Sequence, residues 1–167
     1  MIFLKVIPSA LRSVFYGVFF LIALHGIVWL NLHWDIYFPS MHIEVGWLRW
    51  LGWAITATAF VLYTMTATLL CSKGDGPFAE FDPPTKLVTT GPYQYVRNPI
   101  SACVLMLIFG EAIAFSSTGV LMMVFVSSVI AQAQAVALEE PLLLNRFGAQ
   151  YTEYKRNVPR WFPRMNS

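Results

Sequence analysis

The chain has 167 residues, 57% of them hydrophobic and only 12% charged, with a mean hydropathy of +0.58. A water-soluble domain of this size carries roughly twice that charged fraction, so the composition argues against a soluble fold and for helices that meet one another in lipid. The net charge is +2 and the basic residues form no stripe, which argues against a nucleic-acid partner.

Read in chain order, apolar runs predict membrane-spanning helices over residues 14–32, 50–71, 100–115 and 120–138, judged against a hydrocarbon layer of roughly 30 Å and a rise of about 1.5 Å per residue. The first run is full length and lacks a small-residue cleavage site, so it is expected to remain as a span. The expected architecture is one all-α integral membrane domain over residues 1–167, with about four transmembrane helices and an interfacial C-terminal helix. Lys5, Arg12, Lys73, Lys86, Arg97, Arg146, Lys155, Arg156, Arg160 and Arg164 fall on one side if both termini are cytoplasmic; Arg49 falls on the other. That asymmetry predicts a multi-pass protein with both ends inside.

Trp29, Trp34, Tyr37, Trp47, Trp50 and Trp53 read as an aromatic belt at the outer interface. His25 lies within the first span, and His33 and His42 flank the outer loop; their spacing supports no metal site. Cys71 and Cys103, with no CxxC spacing, read as small packing residues in a reducing compartment.

The loop over residues 72–98 contains Gly74, Gly76, Pro77, Pro83, Pro84, Gly91 and Pro92, and is neither helix nor lipid-facing strand. Phe78, Phe81, Tyr93 and Tyr95 favour order within it, and a structured loop of this length is usually functional. It ends at Asn98-Pro99, an N-cap followed by a first helical position suited to proline. The third span is therefore expected to begin there, presenting unpaired N–H groups that can hold a carboxylate.

Glu111, the one acid within a span, sits about one turn from the outer end and is expected to snorkel to water. Gln132 and Gln134 are expected to face protein. The fourth span is expected to close on Glu139 and Glu140 beside Pro141. Acids at a helix C-terminus meet an unfavourable dipole and need compensation. Beyond Pro141, the segment 142–158 carries Phe147, Tyr151, Tyr154 and Val158 at helical spacing, which predicts a helix lying on the cytoplasmic interface until Pro159.

With these residues in view, LVTTGPYQYVRNP (residues 87–99) followed by a helical hairpin and then EE…FGAQYTEYKRNVPR (residues 139–160) resembles the isoprenylcysteine carboxyl methyltransferase and phospholipid methyltransferase group of integral membrane enzymes. The resemblance covers roughly residues 73–163. It implies S-adenosylmethionine (SAM) bound between the last two spans and the cytoplasmic loops. Carried over position by position, it implies cofactor contacts at Thr85, Lys86, Leu87 and Val88, at Tyr93, at Asn98, Pro99, Ile100 and Ser101, and at Glu139, with Tyr95 and Glu140 as further candidates.

The residue types suit that cofactor. Leu87, Val88 and the tyrosines can wall an adenine, Glu139 can accept from hydroxyl or ammonium groups, and the helix start at Asn98-Pro99 can receive a carboxylate. Methyl transfer from a sulfonium mostly demands alignment and exclusion of water, so no acid–base pair is required. Arg97 is a candidate for the site. It pairs either with lipid phosphate, as Arg160 and Arg164 are expected to, or with Glu139 or Glu140.

Three positions depart from the family pattern. Asn98 stands where many relatives have His, Ser101 stands where Tyr is usual, and Ala135 replaces an Arg that holds a substrate carboxylate in carboxyl methyltransferases. The expected reaction is transfer of a methyl group from SAM to a lipophilic or amphiphilic acceptor (amine, thiol or carboxylate) reached from the bilayer. An NADPH-dependent reductase resembling membrane sterol reductases, and a non-catalytic protein retaining the fold, are the alternatives. Oligomeric state is not encoded in any small-residue pattern.

Overall fold

The structure, a computed structural model, describes residues 8–35, 37, 42–76 and 84–164. The described residues form helices α1 (Ser9–Asp35), α2 (Leu48–Gly74), α3 (Pro99–Ala114), α4 (Thr118–Gln134) and α5 (Glu140–Asn157), with a 3-10 turn at Gly91–Gln94 and a π-helical turn at Ala135–Glu139. Among them there is no β-strand, and the protein is an all-α membrane protein. Three helical stretches are long and apolar enough to cross a bilayer. The fourth, α3, has 16 residues and so is about 24 Å long, short of a full hydrocarbon layer. Phe78 and Phe81 of the loop lie outside the described residues.

The chain forms two compact units. One comprises Phe20–Tyr63 and Ser101–Gln132. Its core is Leu24, Val28, Ala59, Leu107, Ile108, Ala112 and Val120, side chains that find one another because lipid-facing positions need no polar cover. Two glycines let α2 and α3 approach closely within this unit. A Cβ on Gly52 would lie 2.5 Å from the Ala114 nitrogen, and one on Gly110 would lie 2.7 Å from the Thr56 nitrogen. The α3–α4 connection is tight: Ser116 has φ 58°, and Ser117 Oγ accepts the Val120 N–H at 3.1 Å, capping α4. Arg49 Nε donates to the Ala114 carbonyl at 3.1 Å, a cation at the negative end of α3. The one basic residue expected apart from the others thus has a partner within its own unit. Trp29, Trp47, Trp50 and Tyr37 are exposed, while Trp53 meets the Phe115 ring edge-on.

Two expectations are corrected here. Glu111 does not snorkel. It is 3% exposed and meets His25 Nε2 at 2.9 Å, because the imidazole of α1 is a nearer partner than water. Gln132 and Gln134 are exposed rather than buried in protein.

The other unit comprises Met1–Phe19, Thr64–Ile100 and Ala133–Ser167. Its helical path is also corrected: the chain does not break at Pro141 but runs as helix from Thr118 to Asn157. Proline lacks the N–H for the helical ladder and crowds the carbonyl four residues back. The wider π turn at Ala135–Glu139 opens the ladder just where that crowding falls. Glu139 and Glu140 therefore sit inside a continuous helix rather than at a C-terminus, and the dipole argument for compensating them does not apply. Gly148, at φ 50° and ψ −122°, kinks α5 in a conformation that suits glycine. Val158 is extended, at φ −114°, as expected of a residue preceding proline. The predicted stripe therefore reaches only Tyr154 in helical form.

Candidate functional site

The polar cluster of the second unit begins with Glu140, 7% exposed. Its Oε1 accepts from Arg97 Nη1 at 2.8 Å and Arg160 Nε at 2.8 Å, with Arg160 Nη2 also at 2.6 Å; Oε2 accepts from Lys155 Nζ at 2.6 Å. Burial pushes its carboxyl up, but the Lys155 and Arg160 hydrogen bonds and the Arg97 charge outweigh that and hold it below the ordinary glutamate range. Arg97 Nη1 also donates to the Tyr151 hydroxyl at 3.3 Å.

Glu139, half-buried, turns elsewhere. Its Oε2 accepts from Asn98 Nδ2 at 3.2 Å. Successive residues on a helix point about 100° apart, so adjacent acids serve different neighbours. The Asn98 amide nitrogen thus goes to Glu139. Backbone bonds close the cluster: the Arg97 N–H donates to the Pro159 carbonyl at 2.9 Å and the Asn98 N–H to the Arg160 carbonyl at 3.3 Å. The segment after α5 lies along the start of α3.

The loop is fixed from two directions. Tyr154 donates its hydroxyl to the Tyr93 carbonyl at 2.6 Å, and burial pushes the Tyr151 and Tyr154 phenols up. The Gly74 carbonyl at the end of α2 accepts the N–H groups of Thr85 (2.8 Å) and Lys86 (3.0 Å), and Arg146 reaches the Pro84 carbonyl. Gly91, at φ 64°, has a backbone that suits glycine, and a Cβ there would lie 2.6 Å from the movable Leu69 Cδ2.

The candidates named from sequence divide accordingly. Arg97, Asn98, Glu139 and Glu140 come together through side-chain bonds. Tyr93 is buried and linked through its carbonyl to α5. Thr85 and Lys86 are exposed on the α2 end, Leu87 is half-buried, Val88 is buried against Gly74, and Tyr95 is 58% exposed. Pro99 is buried and Ile100 half-buried at the start of α3; Ser101 is half-buried and belongs to the other unit.

Arg97 pairs with Glu140, not Glu139. Of the two alternatives for Arg97 the acid is its partner; the expectation of lipid phosphate is corrected for Arg160, whose charge Glu140 also takes, while Arg164 reaches the Arg156 carbonyl. Lys155, Tyr151 and Tyr154 were not singled out as site residues. The signal for the two tyrosines was the apolar stripe, and for Lys155 the need of a buried acid for cations.

A helical membrane protein with a polar cluster built around two adjacent glutamates is the class defined so far. The sequence model of the phospholipid methyltransferase family matches residues 47–150, and the chain belongs to that family. Among curated proteins it is 33% identical over 82 residues (49% of this chain, 38% of the relative) to the nickel-cobalt-cadmium resistance protein NccN of Alcaligenes xylosoxydans xylosoxydans. It is 30% identical over 80 residues (48% and 37%) to the cobalt-zinc-cadmium resistance protein CzcN of Cupriavidus metallidurans. It is 27% identical over 140 residues (78% and 52%) to the methanethiol S-methyltransferase of Mycobacterium tuberculosis. The chain spans between about two fifths and one half of the length of these relatives.

Proposed function

We propose that the protein is a membrane methyltransferase that binds SAM beside Glu139 and Asn98 at the cytoplasmic interface and methylates a neutral, lipophilic or amphiphilic acceptor. The observation that carries this reading is the Glu139–Asn98 contact at the start of α3, in a chain of the phospholipid methyltransferase family.

The residues present fit the cofactor. Glu139 is half-buried and accepts from the neutral Asn98 amide, and a carboxylate, with about four acceptor positions, suits ammonium or hydroxyl donors. The N–H group of Ile100 belongs to the first turn of α3, where the helix supplies no partner, and suits a carboxylate. Leu87 and Tyr95 offer apolar and aromatic surface for a purine. When bound, SAM supplies an electrophilic methyl group. The chain's part is to orient the acceptor in line with it and to keep water out.

The acceptor class follows from the cations. Ala135, fully buried, stands where a carboxylate-holding Arg would be, and Arg97, Lys155 and Arg160 are committed to Glu140. None of these three cations is left over for an acceptor carboxylate, which favours a thiol or an amine. The relative named for methanethiol methylation supports a thiol.

The test is isotope-labelled methyl transfer from SAM by purified protein in lipid nanodiscs, with a panel of apolar thiols and amines, alongside calorimetry with SAM and NADPH. SAM binding that weakens by roughly ten- to a hundredfold in Glu139→Gln is the expected outcome. Binding of NADPH without SAM would overturn the reading.

A further inference from the structure

The two adjacent glutamates have unlike surroundings, and we infer that Glu140 is a positioning residue for the cofactor site: it does not touch the cofactor, but holds the segment after α5 against the start of α3 so that Asn98 and Glu139 face it. The inference rests on the SAM-binding reading above and divides its acidic pair into two roles.

The first ground is saturation. Four short contacts from three cations converge on Glu140, about as many as a carboxylate can accept. Its side chain is 9% exposed. Three of these contacts fall on Oε1 and one on Oε2, and burial leaves little of either oxygen open to a ligand. Glu139 is half-buried and accepts from the neutral amide of Asn98, a different kind of partner.

The second ground is the connection between the two. Arg160 is held by its side chain to Glu140 and by its carbonyl to the Asn98 N–H. Arg97 is held by its side chain to Glu140 and by its N–H to the Pro159 carbonyl. Asn98 therefore has its backbone fixed by the segment that Glu140 anchors, and its side chain on Glu139. Removing the Glu140 charge releases Arg160, then the backbone clasp on Asn98, and then the orientation of the Asn98 amide. Lys155 adds a third tie from α5 itself.

The experiment uses the full-length protein in nanodiscs with two readouts, SAM affinity by calorimetry and tryptic cleavage after Lys155, Arg156 and Arg160. Glu140→Gln is expected to accelerate cleavage of the tail about tenfold and to weaken SAM binding roughly ten- to a hundredfold. Glu140→Asp, which keeps the charge, recovers part of both. Arg160→Gln reproduces the effect on SAM, and the Glu140→Gln/Arg160→Gln double variant is no weaker than either single, as members of one unit behave. Glu139→Gln weakens SAM binding while leaving the tail as protected as in the wild type.

Unchanged tail cleavage in Glu140→Gln overturns the inference, as does a released tail with wild-type SAM affinity. Fully additive losses in the double variant overturn it too, because they place Glu140 on the cofactor directly. If Glu140→Gln does not accumulate as folded protein, Lys155→Gln removes one tie from a half-exposed position; smaller changes in both readouts are then expected, and no change in either overturns the proposal. Failure of the underlying reading is seen separately, as a wild-type protein that binds no SAM, and this inference falls with it.

Discussion

Each of the two units buries a glutamate, and the surroundings differ in almost every respect. Glu111, 3% exposed, has one partner, His25, itself anchored through Nδ1 on the Leu21 carbonyl at 2.8 Å; Glu111 Oε2 is buried with no hydrogen bond. Glu140, 7% exposed, is met by Arg97, Lys155 and Arg160. The contrast teaches that burial alone does not define the role of an acid. Glu111 makes one local tie between α1 and α3 inside an apolar core. Glu140 gathers side chains from two stretches of sequence, residue 97 and residues 155–160, which backbone bonds also join.

The largest expected effect breaks the richer side of that comparison. Glu140→Ala leaves Arg97 buried without its counter-charge. Orphaning one member of a buried ion pair costs about 3–5 kcal/mol, reduced here because Lys155 and Arg160 can turn to water. Unfolding midpoints in detergent would report it, and a change comparable to a surface substitution would refute the account. Within the apolar unit, Gly52→Ala should cost about 1–3 kcal/mol, because the new Cβ meets backbone of α3 rather than a movable side chain.

Acidification sharpens the comparison through charge alone. The folded protein holds the Glu140 carboxyl below its ordinary value of 4.5, so the unfolded chain takes up the proton first as pH falls. The associated stability is fully present above the unfolded value and is lost as pH falls through the folded one. Thermal unfolding followed from neutral to acidic pH should show this loss in the wild type and not in Glu140→Gln.

Smaller effects follow. Tyr154→Phe should cost about 1–2 kcal/mol, since the buried Tyr93 carbonyl loses its donor. Glu111→Gln should cost less than about 1 kcal/mol, because the new amide can donate to His25 Nε2 while Nδ1 keeps the Leu21 carbonyl. If Glu111→Gln proved as damaging as Glu140→Ala, the contrast between the two units would collapse.

Sequence carried the helical class, the start of α3 at Asn98-Pro99, the stop of the last helix by Pro159 and the importance of the adjacent acids, since each rests on local chemistry or on charge that must be accounted for. It did not carry the partner assignments. That Arg97 meets Glu140 rather than Glu139 depends on helical phase through residues 135–139, and proline at 141 suggested a break there. Glu111 was misjudged for a related reason: snorkelling weighs one side chain against water, whereas His25 comes from a helix more than eighty residues earlier in the chain.

The π-helical turn at Ala135–Glu139 also has a meaning in terms of insertion and deletion. Such a turn is an α-helix holding one surplus residue, so the accommodation of Pro141 is set by residue count as well as residue type. A single deletion within Val136–Leu138 would let the turn close as regular α-helix, taking away the widened ladder that relieves the carbonyl crowded by the proline. The strain would then fall on the helix that carries Glu139 and Glu140, with no ligand-contacting side chain having changed. Length in this short stretch is therefore as much a part of the site as the two acids it carries.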